Sequence, residues 1–196
     1  MSRTRYERMW DPRPLSTNRG VTFTDPFGLC ERIKNADGTE TTAPCVLFAA
    51  VMGEARGASR DFQTAVTNVI KNRATLTSGD YEAVINQPNA FSAMNSGDPN
   101  RAVVDEVLKN GSVTDQVRDI VEGVYSGTIA DNTQGALLYY SPRSMPNFTD
   151  TPAWNFAQLQ LTTYTSTYEP RLNASYIGGE GLFYACARGS SCWARP

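Results

Sequence analysis

The chain has 196 residues, 40% of them hydrophobic, enough for one domain with a real core and a modest extra segment. Its net charge of −2 argues against nucleic acid as a partner, because affinity for phosphates comes from an excess of Lys and Arg. It contains no histidine, which removes Ser-His and Cys-His nucleophile pairs and disfavours a catalytic zinc site; chemistry is left to carboxylates, hydroxyls, Tyr, Lys or Cys.

In chain order, residues 1–42 show little hydrophobic periodicity and much Arg, Asp, Gly, Thr and Pro, and read as an arm or junction ahead of a domain over 43–196. The first fifteen residues, MSRTRYERMWDPRPL, lack an apolar h-region, so no signal peptide is expected there. No apolar stretch approaches the roughly 20 residues that span a bilayer, so membrane insertion is not expected. Thr42 is placed to cap a helix with Pro44 in its first turn, and Cys45–Ala55 reads as strongly apolar helix closing at Gly57. Ser59 caps a second helix in which Phe62, Val66, Val69, Ile70 and Arg73 share one face. Asp80 starts a short helical turn ending before Pro88. Asp98 with Pro99 opens another helix that stops at Gly111, and Thr114 starts the next, which Gly127 ends. Beyond Asn132 the character changes to strand at 136–140, 158–165 and 182–187, rich in aromatic and β-branched residues. Helices first and strands later imply an α+β fold rather than an alternating parallel sheet.

The four cysteines, Cys30, Cys45, Cys186 and Cys192, flank the central part of the chain. An even count suggests disulfides and an oxidising workplace, with four reduced thiols as the alternative. Pairing Cys30 with Cys45 and Cys186 with Cys192 gives the shortest loops.

One carboxylate stands out. Glu54 ends the apolar run over 46–53, and its helical neighbours Ala50, Val51, Gly57 and Ala58 include no base to pair with it. It lies in the last turn of its helix, where the dipole disfavours negative charge. Low solvation and that position both favour the protonated form, so a raised pKa is expected, which is the state a general acid needs. The alternative is a surface glutamate pairing with Arg56 or Arg60.

Met52-Gly53-Glu54-Ala55-Arg56-Gly57 resembles the G-E-A-R-G signature of the SleB-type cell wall hydrolases. Gln63-Thr64-Ala65-Val66 followed by Val69-Ile70-Lys71-Asn72-Arg73 is similar to that family's second helix. Gln87-Pro88-Asn89-Ala90-Phe91-Ser92 resembles its Q-x-x-x-F-S segment, and Gly135-Ala136-Leu137-Leu138-Tyr139-Tyr140-Ser141-Pro142 its aromatic strand. Ile177-Gly178-Gly179 with Phe183-Tyr184 resembles its closing motif, although the histidine found there in the family is absent and Glu180 stands nearby.

The resemblance implies a lysozyme-like cleft, mainly helical with a small antiparallel sheet, and cleavage of the bond between N-acetylmuramic acid and N-acetylglucosamine. It implies Glu54 as catalytic acid and then base in a lytic transglycosylase, with no cofactor and no metal. A hydrolytic muramidase would more usually need a second carboxylate, for which Asp131, Glu169 and Glu180 are the candidates. Substrate contacts are expected from Gln63, Phe91, Ser92, Tyr139, Tyr140, Glu180 and Tyr184. Of the two adjacent tyrosines, which point to opposite strand faces, one packs in the core while the other is free for a sugar. Trp154 is a further candidate for a sugar subsite, and Asn72 and Arg73 are expected to be structural. A spore cortex-lytic enzyme, a peptidoglycan amidase, a catalytically silent glycan-binding module and a nuclease toxin are the competing readings.

Thr24-Asp25-Pro26-Phe27-Gly28-Leu29 resembles the D-P-x-G-L junction ahead of the variable C-terminal toxin in Rhs-type polymorphic toxins. That resemblance implies an antibacterial effector delivered by a secretion machine to a rival's periplasm. Its partners would be peptidoglycan glycan strands and a cognate immunity protein.

Overall fold

Residues 46–53 are apolar on every side, and a helix without a polar face belongs at the centre of a domain. In the computed structural model, which describes residues 33–142, 152–165, 181–188, 190 and 192, Cys45–Ala55 forms that helix, α1. Leu47, Phe48, Ala49, Ala50 and Val51 in it are fully buried. Packed around it are α2 (Arg60–Leu76), α3 (Tyr81–Ile85), α4 (Arg101–Asn110) and α5 (Asp115–Ser126). The expected caps form at α2, where Ser59 Oγ accepts from Phe62 N at 3.2 Å, and at α5, where Thr114 Oγ1 accepts from Val117 N at 3.3 Å. Asp80 likewise caps α3 by accepting from Ala83 N at 2.8 Å.

Two helix starts differ from expectation. Thr42 does not cap α1. Instead its N–H and hydroxyl donate to Glu122 of α5 at 2.8 and 2.9 Å, and Ala43 N donates to the same carboxylate at 2.7 Å. A carboxylate from another helix can take up several backbone donors at once, which a local hydroxyl cannot. Asp98 precedes α4 rather than opening it: its side chain accepts from Asn100 N at 2.7 Å, and the helix begins at Arg101. Ahead of α1, Lys34 and Glu40 form an isolated bridge, and Ile33, only 2% exposed, joins the core. Packing therefore begins by Ile33, within the stretch read as an arm.

The strands β1 (Leu138–Tyr140), β2 (Leu159–Thr165) and β3 (Gly181–Cys186) form an antiparallel sheet in the order β1-β3-β2. The architecture is thus α+β, mainly helical with a small antiparallel sheet. Each strand lies within a residue or two of its expected span. β1 starts late as a regular strand, although Leu137 N already donates to Tyr184 O at 2.8 Å.

Because side chains alternate across a strand, the sheet has two aromatic faces. Tyr139 and its cross-strand partner Phe183 face the helices, with ring centroids 5.6 Å apart and both 5.9 Å from Phe62 of α2. Gly181 makes room for this seating, since a Cβ there would lie 2.4 Å from the Phe62 ring. On the opposite face Tyr140 stacks on Tyr184 at 6.2 Å, with Trp154 and Phe156 against them.

Cys186 and Cys192 are bridged, closing a short loop immediately after β3. Pinning so short a loop is worth roughly 2 kcal/mol in a chain-entropy account. Cys45 is disulfide-bonded as well, and no cysteine is free among the described residues. Cys30 lies outside the described residues. No helix among the described residues is long and apolar enough to cross a membrane.

Candidate active site

Glu54 lies in the last turn of α1 and is half-buried. The residue before it explains how its surroundings assemble. A Cβ on Gly53 would stand 2.6 Å from Ala93 Cβ and 2.7 Å from Val104 Cγ2. Glycine thus lets α1 approach both α4 and the short 3-10 turn Ser92–Met94 more closely than any other residue allows. That approach delivers Ala93 N–H to Glu54 Oε1 at 2.8 Å and Ser92 Oγ to the same oxygen at 3.2 Å. From the other side, β1 brings the Tyr139 hydroxyl to Glu54 Oε2 at 2.8 Å. Seen locally, Glu54 has no partner; in the fold it is gripped by two segments distant in sequence.

The electrostatics follow from burial. Tyr139 is held well above the usual phenol value by burial, then by the Glu54 charge and its hydrogen bond to that carboxylate, with Arg73 acting in the opposite sense. It therefore stays a neutral hydroxyl that donates to Glu54. Behind it lies Arg73 of α2, 3% exposed, its guanidinium 4.8 Å from the centre of the Phe91 ring and its Nε donating to Leu137 O at 2.6 Å. Burial pulls its pKa down to about 10, opposed by Tyr139 and Glu54, so it remains a cation at neutral pH.

The two carboxylate oxygens are not equivalent. Oε1 faces a backbone N–H, which can only donate, whereas Oε2 faces a hydroxyl, which can donate or accept. A proton on Glu54 is accordingly better placed on Oε2, where Tyr139 can accommodate either protonation state. Such a carboxyl, part-exposed with one oxygen anchored and one adaptable, is suited to general acid–base work. Among the described residues no cluster of Cys, Asp or Glu could hold a metal ion.

Of the expected contacts, the structure brings Ser92 and Tyr139 to Glu54. Ser92 is exposed, on the solvent side of the carboxylate. Gln63, 1% exposed, is turned into the fold rather than towards Glu54's open side. Its Nε2 donates to Ala55 O at 3.0 Å and Arg56 O at 3.3 Å, closing the end of the helix that carries Glu54, while its Oε1 accepts from Gln116 at 2.9 Å. Phe91, 2% exposed, is in the core, with Arg73 over its ring and the tilted Tyr139 ring 6.4 Å away. Tyr140 and Tyr184 belong to the far face of the sheet, with Trp154, so none of the three stands beside Glu54. Glu180 lies outside the described residues, as does Glu169.

Asp131, a candidate second carboxylate, is otherwise engaged. Its oxygens accept from Thr133 N and Oγ1 at 2.7 and 2.6 Å, from Gly135 N at 2.8 Å and from Asn72 Nδ2 at 3.1 Å, shaping the loop that leads into β1. Burial raises its pKa, but the hydrogen bonds from Thr133, Gly135 and Asn72 outweigh it, and the net shift is downward. A carboxylate lowered in the fold stabilises above its unfolded value, near pH 4, and that contribution is lost as pH falls through the lower folded value. Asp131→Asn is expected to flatten this acid dependence: the urea midpoint should drop less between pH 7 and pH 3 than in the native protein. Since the group is largely solvated, the difference is modest.

Sequence reasoning misses the Ala93 amide, which carries no signal because every non-proline residue has that donor. Comparison with known proteins gives the following. The family model described as Cell Wall Hydrolase matches residues 57–165, beginning just after Glu54. The catalytic domain of the Bacillus cereus SleB protein is 25% identical, with a TM-score of 0.46, covering 73% of this chain and 88% of that one. The catalytic domain of the germination-specific lytic transglycosylase SleB from Bacillus anthracis is 24% identical, with a TM-score of 0.45, covering 73% of this chain and 93% of that one. No curated protein matches.

Proposed function

The chain belongs to the cell wall hydrolase family, enzymes whose target is peptidoglycan, and from that premise we propose that it is a lytic transglycosylase working through Glu54. The observation that carries this reading is the grip on Glu54: a part-exposed carboxyl held by the Ala93 amide, Ser92 and Tyr139, with no second carboxylate hydrogen-bonded to it among the described residues. The catalytic unit is residues 43–196, with residues 33–42 packed onto it.

In this mechanism Glu54, protonated on Oε2, donates to the oxygen joining the muramic acid C1 to the next sugar, and the C1–O bond breaks. The freed Glu54 carboxylate then takes the proton of the muramyl 6-hydroxyl as that oxygen bonds to C1. Glu54 ends reprotonated, the product is a 1,6-anhydro sugar, and no water is consumed. Tyr139 donates to the carboxylate form and turns to accommodate the acid form. One carboxyl group suffices, whereas inverting and retaining hydrolases use two.

Mass spectrometry of fragments released from sacculi tests this directly. Muramyl ends lighter by one water than reducing ends are expected. Reducing ends throughout would replace this reading with a muramidase, and intact glycan strands would remove it.

We further propose that the enzyme is an antibacterial effector acting in the periplasm of a rival cell and neutralised by a cognate immunity protein. The Thr24-Asp25-Pro26-Phe27-Gly28-Leu29 motif, outside the described residues, and the disulfide at Cys186–Cys192 support this. Toxicity should then follow compartment: expression in the cytoplasm is tolerated, and fusion to a periplasmic signal lyses the cell unless Glu54 is replaced by Gln. Cytoplasmic killing that survives loss of Glu54 would point to another target, such as nucleic acid.

A further inference from the structure

The apolar face of α2 that packs against the core is formed by Phe62, Val66, Val69 and Ile70, and its last member is a cation, Arg73. A guanidinium that is 3% exposed is costly to bury unless charge and hydrogen bonds compensate it. The structure shows three kinds of compensation. Nε donates to Leu137 O at 2.6 Å, two residues before Tyr139, and the plane lies 4.8 Å from the centre of the Phe91 ring, one residue before Ser92. Both segments that hold Glu54 are therefore anchored on one side chain. Among the described residues, the groups whose charge acts on Arg73 are Tyr139 and Glu54. Tyr139 is kept neutral by burial, so of these two it is Glu54 that brings negative charge to Arg73.

We infer that Arg73 is a positioning residue of the reaction: from behind the site, without touching substrate, it fixes both segments that grip Glu54 and lowers the energy of the Glu54 carboxylate once its proton has gone. The inference rests on the reading of Glu54 as the acid and base. It assigns the cation a use in the second half of the reaction, when an ionised Glu54 must persist until it takes the 6-hydroxyl proton. Among the described residues, Arg101, Arg56 and Asp131 have partners of their own. Arg101 of α4 binds Asp105 at 2.9 Å and the Met94 carbonyl at 2.6 Å; Arg56, just past Glu54, is exposed and reaches Asn100 at 3.0 Å. Asp131, beside Asn72, is taken up by the loop before β1.

The test uses Arg73→Met, which keeps the bulk and removes the charge, and Arg73→Lys, which keeps the charge and loses the planar fork. Each is made in the native chain and in Glu54→Gln. For Arg73→Met we expect sacculus digestion to fall at least about tenfold. Arg73→Lys should recover part of the rate. A purely structural arginine would act independently of Glu54.

Melting gives a readout independent of activity. Arg73→Met should lower the melting temperature less in the Glu54→Gln background, where no carboxylate charge remains to be answered, than in the native chain. Equal losses in both backgrounds would overturn the inference. If Arg73→Met does not fold, Arg73→Lys decides: it loses the fork that holds Leu137 O, and digestion at the native rate overturns it. An active Glu54→Gln would instead sink the catalytic reading, which the melting comparison leaves untouched.

Discussion

Glu54→Gln should leave a folded protein that digests sacculi roughly 100- to 10,000-fold more slowly, the range expected when general acid–base assistance is lost. Glutamine preserves the length of the side chain, and its amide oxygen can still accept the Ala93 N–H now 2.8 Å from Oε1. Its amide nitrogen would face the Tyr139 hydroxyl, which accepts as readily as it donates. The grip therefore survives and the protein should stay folded, although the buried Arg73 cation loses the carboxylate charge that acts on it. What disappears is a group able to give a proton to the leaving oxygen and take one from the 6-hydroxyl. Melting temperature and muropeptide release, measured on one preparation, separate the two effects. Digestion near the native rate by a folded Glu54→Gln protein would move the chemistry to another residue.

Gly53→Ala should lower both stability and activity, against the trend for helix interiors. By helix propensity alone, alanine is better than glycine there by about 1 kcal/mol. Packing decides otherwise, because the new methyl would stand 2.6 Å from Ala93 Cβ and 2.7 Å from Val104 Cγ2. Overpacking of this kind typically costs about 1–3 kcal/mol. Relief requires the Ser92–Met94 turn or α4 to retreat from α1, and the turn carries both donors to Glu54 Oε1. A misplacement near 1 Å at reacting groups can cost about 100-fold in rate, so digestion should fall at least about tenfold. Gly57→Ala is the control, since a Cβ there meets nothing within 4 Å. It should leave digestion near native. A Gly53→Ala protein as stable and active as the native chain would mean that close approach is not what seats Ala93.

Much of the scaffold was legible without coordinates. The apolar run over 46–53 sets a central helix, because no face of it can be left in water. Ser59, Asp80, Thr114, Gly111 and Gly127 mark helix ends through local chemistry that acts within a turn: a hydroxyl or carboxylate for orphan N–H groups, or a left-handed φ of 66° and 85° at the two glycines. Glu54 stood out by its helix-end position, and the alternation in β1 placed its two tyrosines on opposite faces. These features depend on neighbours a few residues away, and sequence reports neighbours well.

Which tyrosine meets Glu54, and what else holds it, was decided only by the tertiary structure. Tyr139 lies 85 residues from Glu54 and Ala93 39 residues away, separations across which no periodicity carries information. Gln63 and Phe91 look like substrate contacts in the chain and are buried in the fold, because burial depends on what packs over them. Thr42 was expected to serve its own helix and instead bonds Glu122, 80 residues on. Local pattern assigns each segment its shape and its apolar side; the close approach of α1, made possible at Gly53, determines which amide, hydroxyl and cation surround the one carboxylate.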